Sequence, residues 1–158
     1  MPAHGEVLAD ELDAEIKKIV ATLDPLSDEQ WRRTAPADGW PVGLVAFHIA
    51  LGLERQAGWI EQALEGGPPH QFSWDVTNQM NAALANAGIL PSKPFVLAGL
   101  PVAAARLCAL VRAVSDADLA RVALSSGGKT ASIESLMKKR MMQHIREHGA
   151  SIRDALGD

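Results

Sequence analysis

The sequence predicts an all-α protein, a four-helix bundle, and three observations support that prediction. Apolar residues recur at helical spacing over most of the chain, and the alternation typical of β-strands is nearly absent. Clusters of proline, glycine and serine divide the chain into a few long segments. The 158 residues, of which 47% are hydrophobic and 22% charged, are typical of one globular domain that spans residues 1–158.

The first helix is predicted over residues 5–23. Its apolar residues are spaced by four, four, three and four positions, which draws one stripe along a helix: Leu8, Leu12, Ile16, Ile19 and Leu23. Turn-forming residues end this pattern over positions 24–39. Within them Ser27 and Gln30 fit a capping box, and Trp31 is expected to close one end of the core.

The second helix is predicted from Trp40 to about Glu65, with Pro41 at its first position, where a missing N–H costs little. The next residues, Gly-Gly-Pro-Pro, are a strong stop signal. A third helical region covers residues 72–114, broken near Pro91–Pro94 because proline cannot continue a regular helix. Its second half, residues 98–114, is rich in Ala, Leu and Val and is expected to be buried.

The last helix is predicted from about Thr130 to Leu156, after a polar, glycine-containing loop over residues 125–129. Gly157 follows it and favours termination. Four main helices with short connections predict a four-helix bundle.

Composition narrows the expected partners and location. The net charge of −4 gives no general attraction to nucleic acid, and the basic cluster 138–140 is expected to be a solvated helix face. The first ten residues lack a signal-peptide pattern, and no run approaches the ~18–20 apolar residues of a membrane span. We therefore expect a cytoplasmic protein without nucleic acid or membrane partners. Cys108, the one cysteine, is expected to be a small core residue.

Two histidines belong to the inward stripe of the last helix. The members of that stripe step by three or four residues: Ile133, Met137, Met141, His144, His148, Ile152 and Ala155. Residues four apart lie one above the other on a helix, so His144 and His148 can hold one metal ion together.

His48 lies on a corresponding stripe of the second helix, with Val45, Gly52, Gln56, Trp59 and Ala63. Any single inward histidine could be a hydrogen-bonded core residue. Three of the chain's five histidines on inward stripes favour a shared divalent metal, which satisfies one nitrogen of each ring. His4, near the terminus, and His70, in a predicted loop, fall outside this pattern.

Helix depth leaves the relative direction of these two helices open. His48 lies roughly 10 Å from the start of its helix and His148 roughly 12 Å from the end of the last one, at ~1.5 Å per residue. Their levels match if the two helices are antiparallel and flush. In an up-down-up-down bundle the two helices would be parallel and would need a large stagger.

The chain resembles the DinB/YfiT-like family of metalloenzymes over residues 12–156. The segment from Gly39 to His48, GWPVGLVAFH, is similar to the family's G-W-S-[VI]-x-E-x-x-x-H entry into its second helix. The pair His144 and His148 is similar to the family's HxxxH, and residues 26–31, LSDEQW, match its L-S-D-E-x-W connector.

The resemblance implies a four-helix bundle, often a homodimer, with a three-histidine site for zinc, nickel or another divalent ion. His48, His144 and His148 match that triad one by one. Some relatives transfer a low-molecular-weight thiol onto an electrophile. Two positions depart from the pattern: Pro41 replaces a serine, and Leu44 replaces a frequent acidic residue. If that acid orients a metal ligand in relatives, this chain lacks the support.

These features predict a metal-dependent enzyme that activates a small thiol, with hydrolysis of a small molecule as the nearest variant. Gly52 would leave room above the metal, and Arg55 and Arg140 could hold a carboxylate of a thiol cofactor.

The competing interpretation is a non-enzymatic, stress-associated or partner-binding bundle with a structural metal or none, since no obvious general acid or base accompanies the triad. Glu147 is expected to point off the histidine face. A nucleotide-binding loop at Gly128-Lys129-Thr130 is excluded because Ala123 stands where a glycine is needed.

Overall fold

A computed structural model describes residue 1 and residues 3–157, and it shows the expected four-helix bundle. In chain order the elements are α1 (His4–Leu23), α2 (Asp28–Arg32), β1 (Thr34–Ala35), β2 (Trp40–Pro41), α3 (Val42–Leu64), β3 (His70–Gln71), α4 (Trp74–Asn86), α5 (Lys93–Arg112), α6 (Asp116–Leu119), β4 (Val122–Ser126), β5 (Lys129–Ser132), α7 (Ile133–Ser135), a π-helical segment (Leu136–Met141) and α8 (Met142–Leu156). The bundle consists of α1, α3, α5 and α8.

The apolar stripe of α1 is buried as its spacing predicts: Leu8, Leu12, Ile16, Ile19 and Leu23 all face the core. The capping box at the start of α2 is also present, with the Ser27 hydroxyl accepting from the Gln30 backbone N–H. Trp31 is buried at the end of the core, and its indole N–H donates to the Pro91 carbonyl at 2.9 Å. The connector after α1 is therefore tied into the bundle.

The directions of the helices follow from their contacts. Helix α1 packs against α5 with opposite direction, since the Cys108 thiol donates to the Ala9 carbonyl while Lys93 reaches the Asp24 carbonyl. Helix α3 runs parallel to α5, because Phe47 lies near Phe95 whereas Glu54 pairs with Arg106. Helix α8 packs against both α1 and α3 and is antiparallel to α3. The order along the chain is thus up, down, down, up.

A long crossover joins the two parallel helices α3 and α5, because the chain must return to the starting end of the bundle. The crossover, residues 65–92, contains β3 and α4. Helix α4 has no buried residue and lies on the outside. The predicted break is confirmed: α4 ends at Asn86, and α5 begins at Lys93 with the Ser92 hydroxyl accepting from the Phe95 N–H.

The prediction of a nearly strand-free chain needs a correction at residues 122–132. The predicted loop 125–129 is the tip of a hairpin, in which β4 pairs antiparallel with β5. Its turn residues Gly127 and Gly128 have φ of 56° and 82°, as a two-residue type I′ turn requires. Strand β3 adds to β4 in parallel, with His70 opposite Leu124. This three-stranded sheet fastens the crossover to the segment before the last helix.

Other helix boundaries also differ from the prediction. Thr130 belongs to β5, so the last helical run begins at Ile133 and passes through the π-helical segment before α8. Pro41 is the cap residue before α3 rather than its first helical residue. Only one face of α5 is buried, and Val102 on the other face is 67% exposed.

Helix α5 is long and apolar enough to cross a membrane by length and composition alone, so the expectation that no run approaches a membrane span is wrong by this criterion. One such helix is weak evidence, since core helices of soluble proteins meet the same criterion. Here its inward face packs against α1 and α3. Cys108 on that face is buried, as expected for a small core residue.

Candidate metal centre

The three predicted histidines come together between α3 and α8. One ring nitrogen from each of His48, His144 and His148 lies within 4.8 Å of the other two. The Nε2 atom of His144 is 3.1 Å from Nε2 of His48 and 2.9 Å from Nε2 of His148. The antiparallel direction of the two helices places the three rings at one level.

Three imidazole nitrogens at this spacing fit a divalent ion better than they fit one another. A neutral ring nitrogen either donates one hydrogen or accepts one, so Nε2 of His144 cannot satisfy both neighbours fully. A tetrahedral ion with ~2.0–2.1 Å bonds to nitrogen holds its ligand atoms roughly 3.3 Å apart. The observed separations are close to that value. The donor set is therefore suited to an ion such as zinc or nickel.

Burial keeps two of these imidazoles neutral. Loss of hydration lowers the pKa of His48 to about 4, and the neighbouring His148 lowers it further while Asp38 opposes the change. The pKa of His144 falls to about 3, first through burial and then through His148 and His48. Neutral imidazole is the form that binds a metal, so both ligands are available near pH 7 without releasing a proton.

Asp38 contacts the cluster at the outer ring nitrogen of His148. Its Oδ1 lies 3.1 Å from Nδ1 of His148, the ring nitrogen that faces away from the other histidines. A carboxylate on the outer nitrogen of a ligating histidine fixes the ring's orientation and tautomer. Sequence reasoning missed Asp38 and looked for this support at position 44, where a buried leucine stands. The available signal was an acidic residue in the turn directly before the Gly39-Trp40 motif.

The start of α3 fixes the position of His48. Trp40 in β2 packs edge-on against the His48 ring, with centroids 5.3 Å apart and planes at 82°. One helical turn after His48, a Cβ atom built on Gly52 would lie 3.5 Å from Cε1 of His144, an ordinary contact. As expected from the sequence, Gly52 therefore leaves open space beside the histidines.

A pocket of about 330 Å³ opens over two of the three histidines. Its lining combines His48 and His144 with aromatic, basic and amide side chains: Gly52, Arg55, Gln56, Trp59, Phe72, Trp74, Thr77, Asn81, Lys139, Arg140, Gln143 and Glu147. Helix α4 contributes the outer wall, and α3 and the last helical run contribute the inner one. Glu147, which was predicted to point away from the histidine face, lies in this lining, where it accepts a hydrogen bond from Gln143.

Both arginines that the sequence singled out line this pocket. Arg140 stacks on Phe72, with its guanidinium carbon 3.9 Å from the ring centroid. It is half-buried, and this burial lowers its pKa. The expectation of a solvated face for the cluster 138–140 therefore fails at Arg140, although Lys138 pairs with Glu134 on the surface as expected.

The two remaining histidines lie outside the cluster of His48, His144 and His148. His4 contacts Glu134 at the far end of α1. His70 stacks on Trp59, with ring centroids 4.5 Å apart, and burial lowers its pKa. His70 thus supports the aromatic wall of the pocket rather than the histidine cluster.

Comparison with known proteins agrees with this fold. The profile of the DinB superfamily matches residues 11–152. Among solved structures, the chain is similar to YfiT from Bacillus subtilis, with a TM-score of 0.76 at 17% sequence identity over 96% of this chain and 85% of that one. YfiT is described as "a probable metal-dependent hydrolase with an unusual four-helix bundle topology". No curated protein sequence matches the chain.

Proposed function

The chain belongs to the DinB superfamily, and we propose that it is a metal-dependent enzyme. In this proposal His48, His144 and His148 hold one divalent ion, zinc or nickel, and a small-molecule substrate binds in the adjoining pocket. The observation that carries the proposal is the convergence of three imidazole nitrogens beside a 330 Å³ pocket. The description of YfiT as "a probable metal-dependent hydrolase" supports the same class of activity.

Three protein ligands are typical of catalytic rather than structural zinc sites, which close all four positions with protein atoms. A divalent ion in such a site acts as a Lewis acid and lowers the pKa of a water or thiol that it binds. Either nucleophile would then react with an electrophilic substrate near neutral pH. Hydrolysis uses water, and thiol transfer uses a small thiol.

The chain's own residues supply orientation and exclusion of water. Asp38 contacts the outer nitrogen of His148, and Trp40 packs edge-on against His48. The aromatic side chains Trp59 and Phe72 form an apolar wall next to the histidines. The absent side chain of Gly52 leaves a place for the reacting atoms of a substrate beside His144.

Metal analysis of untagged protein tests the site directly. We expect close to one zinc or nickel ion per chain after loading and dialysis. His144→Ala should lose this ion with its helical content retained, whereas His4→Ala, a histidine outside the cluster, should keep it. Absence of metal binding in the unaltered protein would refute the site.

A reaction screen tests the activity. Zinc-loaded and nickel-loaded protein should cleave small esters or amides, or couple small thiols to electrophiles, and His144→Ala should be inactive. Turnover without added thiol identifies a hydrolase, and turnover that requires thiol identifies a transferase. A metal-loaded protein that is inactive in every combination would favour the non-enzymatic alternative.

A further inference from the structure

The pocket beside the histidines carries unbalanced positive charge. Arg55, Lys139 and Arg140 line it together with a single carboxylate, that of Glu147, which already accepts a hydrogen bond from Gln143. Within residues 1 and 3–157, none of the ion pairs involves Arg55 or Arg140. Two arginines in a pocket without protein counter-ions are suited to an anionic ligand.

Arg140 packs against two aromatic side chains of the pocket. Its guanidinium carbon lies over the Phe72 ring and 5.4 Å from the centroid of Trp74, so aromatic contacts restrict where the guanidinium lies. A guanidinium that packs against an aromatic ring can still bind a carboxylate or phosphate through its N–H groups. The residue also belongs to the π-helical segment, a backbone irregularity that is frequent at functional sites.

Gln56 provides a second, independent observation. It lines the same pocket and is only 6% exposed, yet its Oε1 atom has no hydrogen-bond partner in the described chain. A buried amide oxygen without a partner is costly, and a ligand that donates a hydrogen bond removes that cost. The residue lies eight positions after His48 on the same face of α3.

We propose that this pocket binds a small aromatic or apolar molecule that carries a carboxylate or phosphate group. Arg55 and Arg140 bind the anionic group, Trp59 and Phe72 contact the apolar body, and Gln56 accepts a hydrogen bond from the ligand. This inference rests on the proposed function for its reactive end, because the ligand is anchored with its remainder beside the histidines. A volume of about 330 Å³ limits it to a small molecule.

Benzoylglycine is a suitable probe because it has an aromatic ring, an amide N–H and a carboxylate. Calorimetry on the full chain, with and without zinc, should show binding in both forms. Benzoylglycinamide, which lacks the negative charge, should bind the unaltered protein at least about tenfold more weakly than benzoylglycine does. The variants Arg55→Gln and Arg140→Gln should likewise bind benzoylglycine at least about tenfold more weakly than the unaltered protein does. The affinity of Arg140→Lys for benzoylglycine should lie between those of the unaltered protein and Arg140→Gln, since lysine keeps the charge without the planar guanidinium. Gln56→Leu should weaken binding several-fold.

The control variant is Arg32→Gln, an exposed arginine of α2 outside the pocket, which should bind benzoylglycine like the unaltered protein. Phenyl phosphate in place of benzoylglycine decides between phosphate and carboxylate as the preferred anion. Equal binding of the acid and its amide, binding that Arg55→Gln and Arg140→Gln both leave unchanged, or binding of neither anion would each overturn the inference.

Zinc stoichiometry, measured on the same samples, separates this inference from the proposed function. Arg140→Gln should bind zinc like the unaltered protein. Arginine-dependent binding of benzoylglycine in a protein that never binds zinc would refute the metal site alone. Zinc binding together with charge-independent ligand binding would refute the anion site alone.

Discussion

Two helix contacts of this bundle differ in what they bury. The contact between α1 and α5, here the closed seam, is filled by aliphatic side chains, and its one buried thiol donates to a backbone carbonyl. The contact between α3 and α8, here the open seam, buries His48 and Gln56 and opens into the pocket. The open seam thus buries polar side chains, and the Oε1 atom of Gln56 has no hydrogen-bond partner within the described residues.

Two glycines show the same difference. At Gly5, in the closed seam, an added Cβ atom would clash with the backbone carbonyl of Val111. At Gly52, in the open seam, it would make only an ordinary contact with His144. The comparison indicates that the closed seam is tightly packed, whereas the open seam gives up packing beside the histidines.

The largest expected effect is in the closed seam. Leu12 on α1 is completely buried, so Leu12→Ala should lower the free energy of unfolding by about 2–5 kcal/mol through lost burial and a new cavity. Urea denaturation measures this loss. Zinc stoichiometry should remain that of the unaltered protein. A loss below about 1 kcal/mol would contradict the division between the seams.

Lowering the pH should destabilise the folded protein through the buried histidines of the open seam. The pKa of His48 is about 4 in the folded protein and 6.5 in the unfolded chain, so the unfolded chain binds more protons between these values. The metal-free protein should therefore lose about 3 kcal/mol of stability through His48 alone as the pH falls from 6.5 to 4, and His144, whose pKa is about 3, adds to this loss. Urea denaturation at several pH values measures the loss. His48→Gln should show a shallower pH dependence, and an equally steep one would contradict the assignment.

Asp38 should affect the metal and not the fold. Asp38→Asn removes the carboxylate charge at Nδ1 of His148 with little change in shape. We expect the zinc affinity to fall about 10–100-fold. Competition with a chromogenic chelator measures this change. The matched control is Asp28→Asn on the surface of α2, and an equal loss in both variants would point to a general charge effect.

The smallest effect is expected at Gly52, where the sign differs from that at Gly5. Gly52→Ala should raise the free energy of unfolding by up to about 1 kcal/mol, because alanine favours the helix and its methyl group fits. Gly5→Ala should lower it because the carbonyl of Val111 cannot move aside freely. Thermal denaturation compares the two variants. If both substitutions changed the free energy of unfolding in the same direction, the distinction between the seams would be refuted.

Local sequence patterns were sufficient for the main helices and for the histidines that cluster between α3 and α8. The apolar residues at helical spacing in α1, α3 and α8 indicate which side chains face the core, because each helix must bury one face to be stable. His144 and His148 are four residues apart on one helix, so their spacing alone places them next to each other. The break between α4 and α5 was also predictable, since proline excludes a continuous helix there.

Patterns within one segment carried less information about the sheet. Strand β3 has two residues and pairs with β4 more than fifty positions later, so no local alternation reveals it. The hairpin of β4 and β5 did leave a signal, the adjacent Gly127 and Gly128 at its turn, which sequence reasoning assigned to a plain loop.

By itself, the sequence determined that the chain is helical, where its long helices lie and that His48, His144 and His148 point inward. Only the tertiary structure decided that α8 runs antiparallel to α3, that Asp38 lies behind His148 and that Arg140 faces a pocket. The physical reason is that helix periodicity reflects burial, which each segment shows locally. The order and direction of the helices, by contrast, depend on how all the buried faces pack together, with the crossover of residues 65–92 returning the chain to the starting end of the bundle.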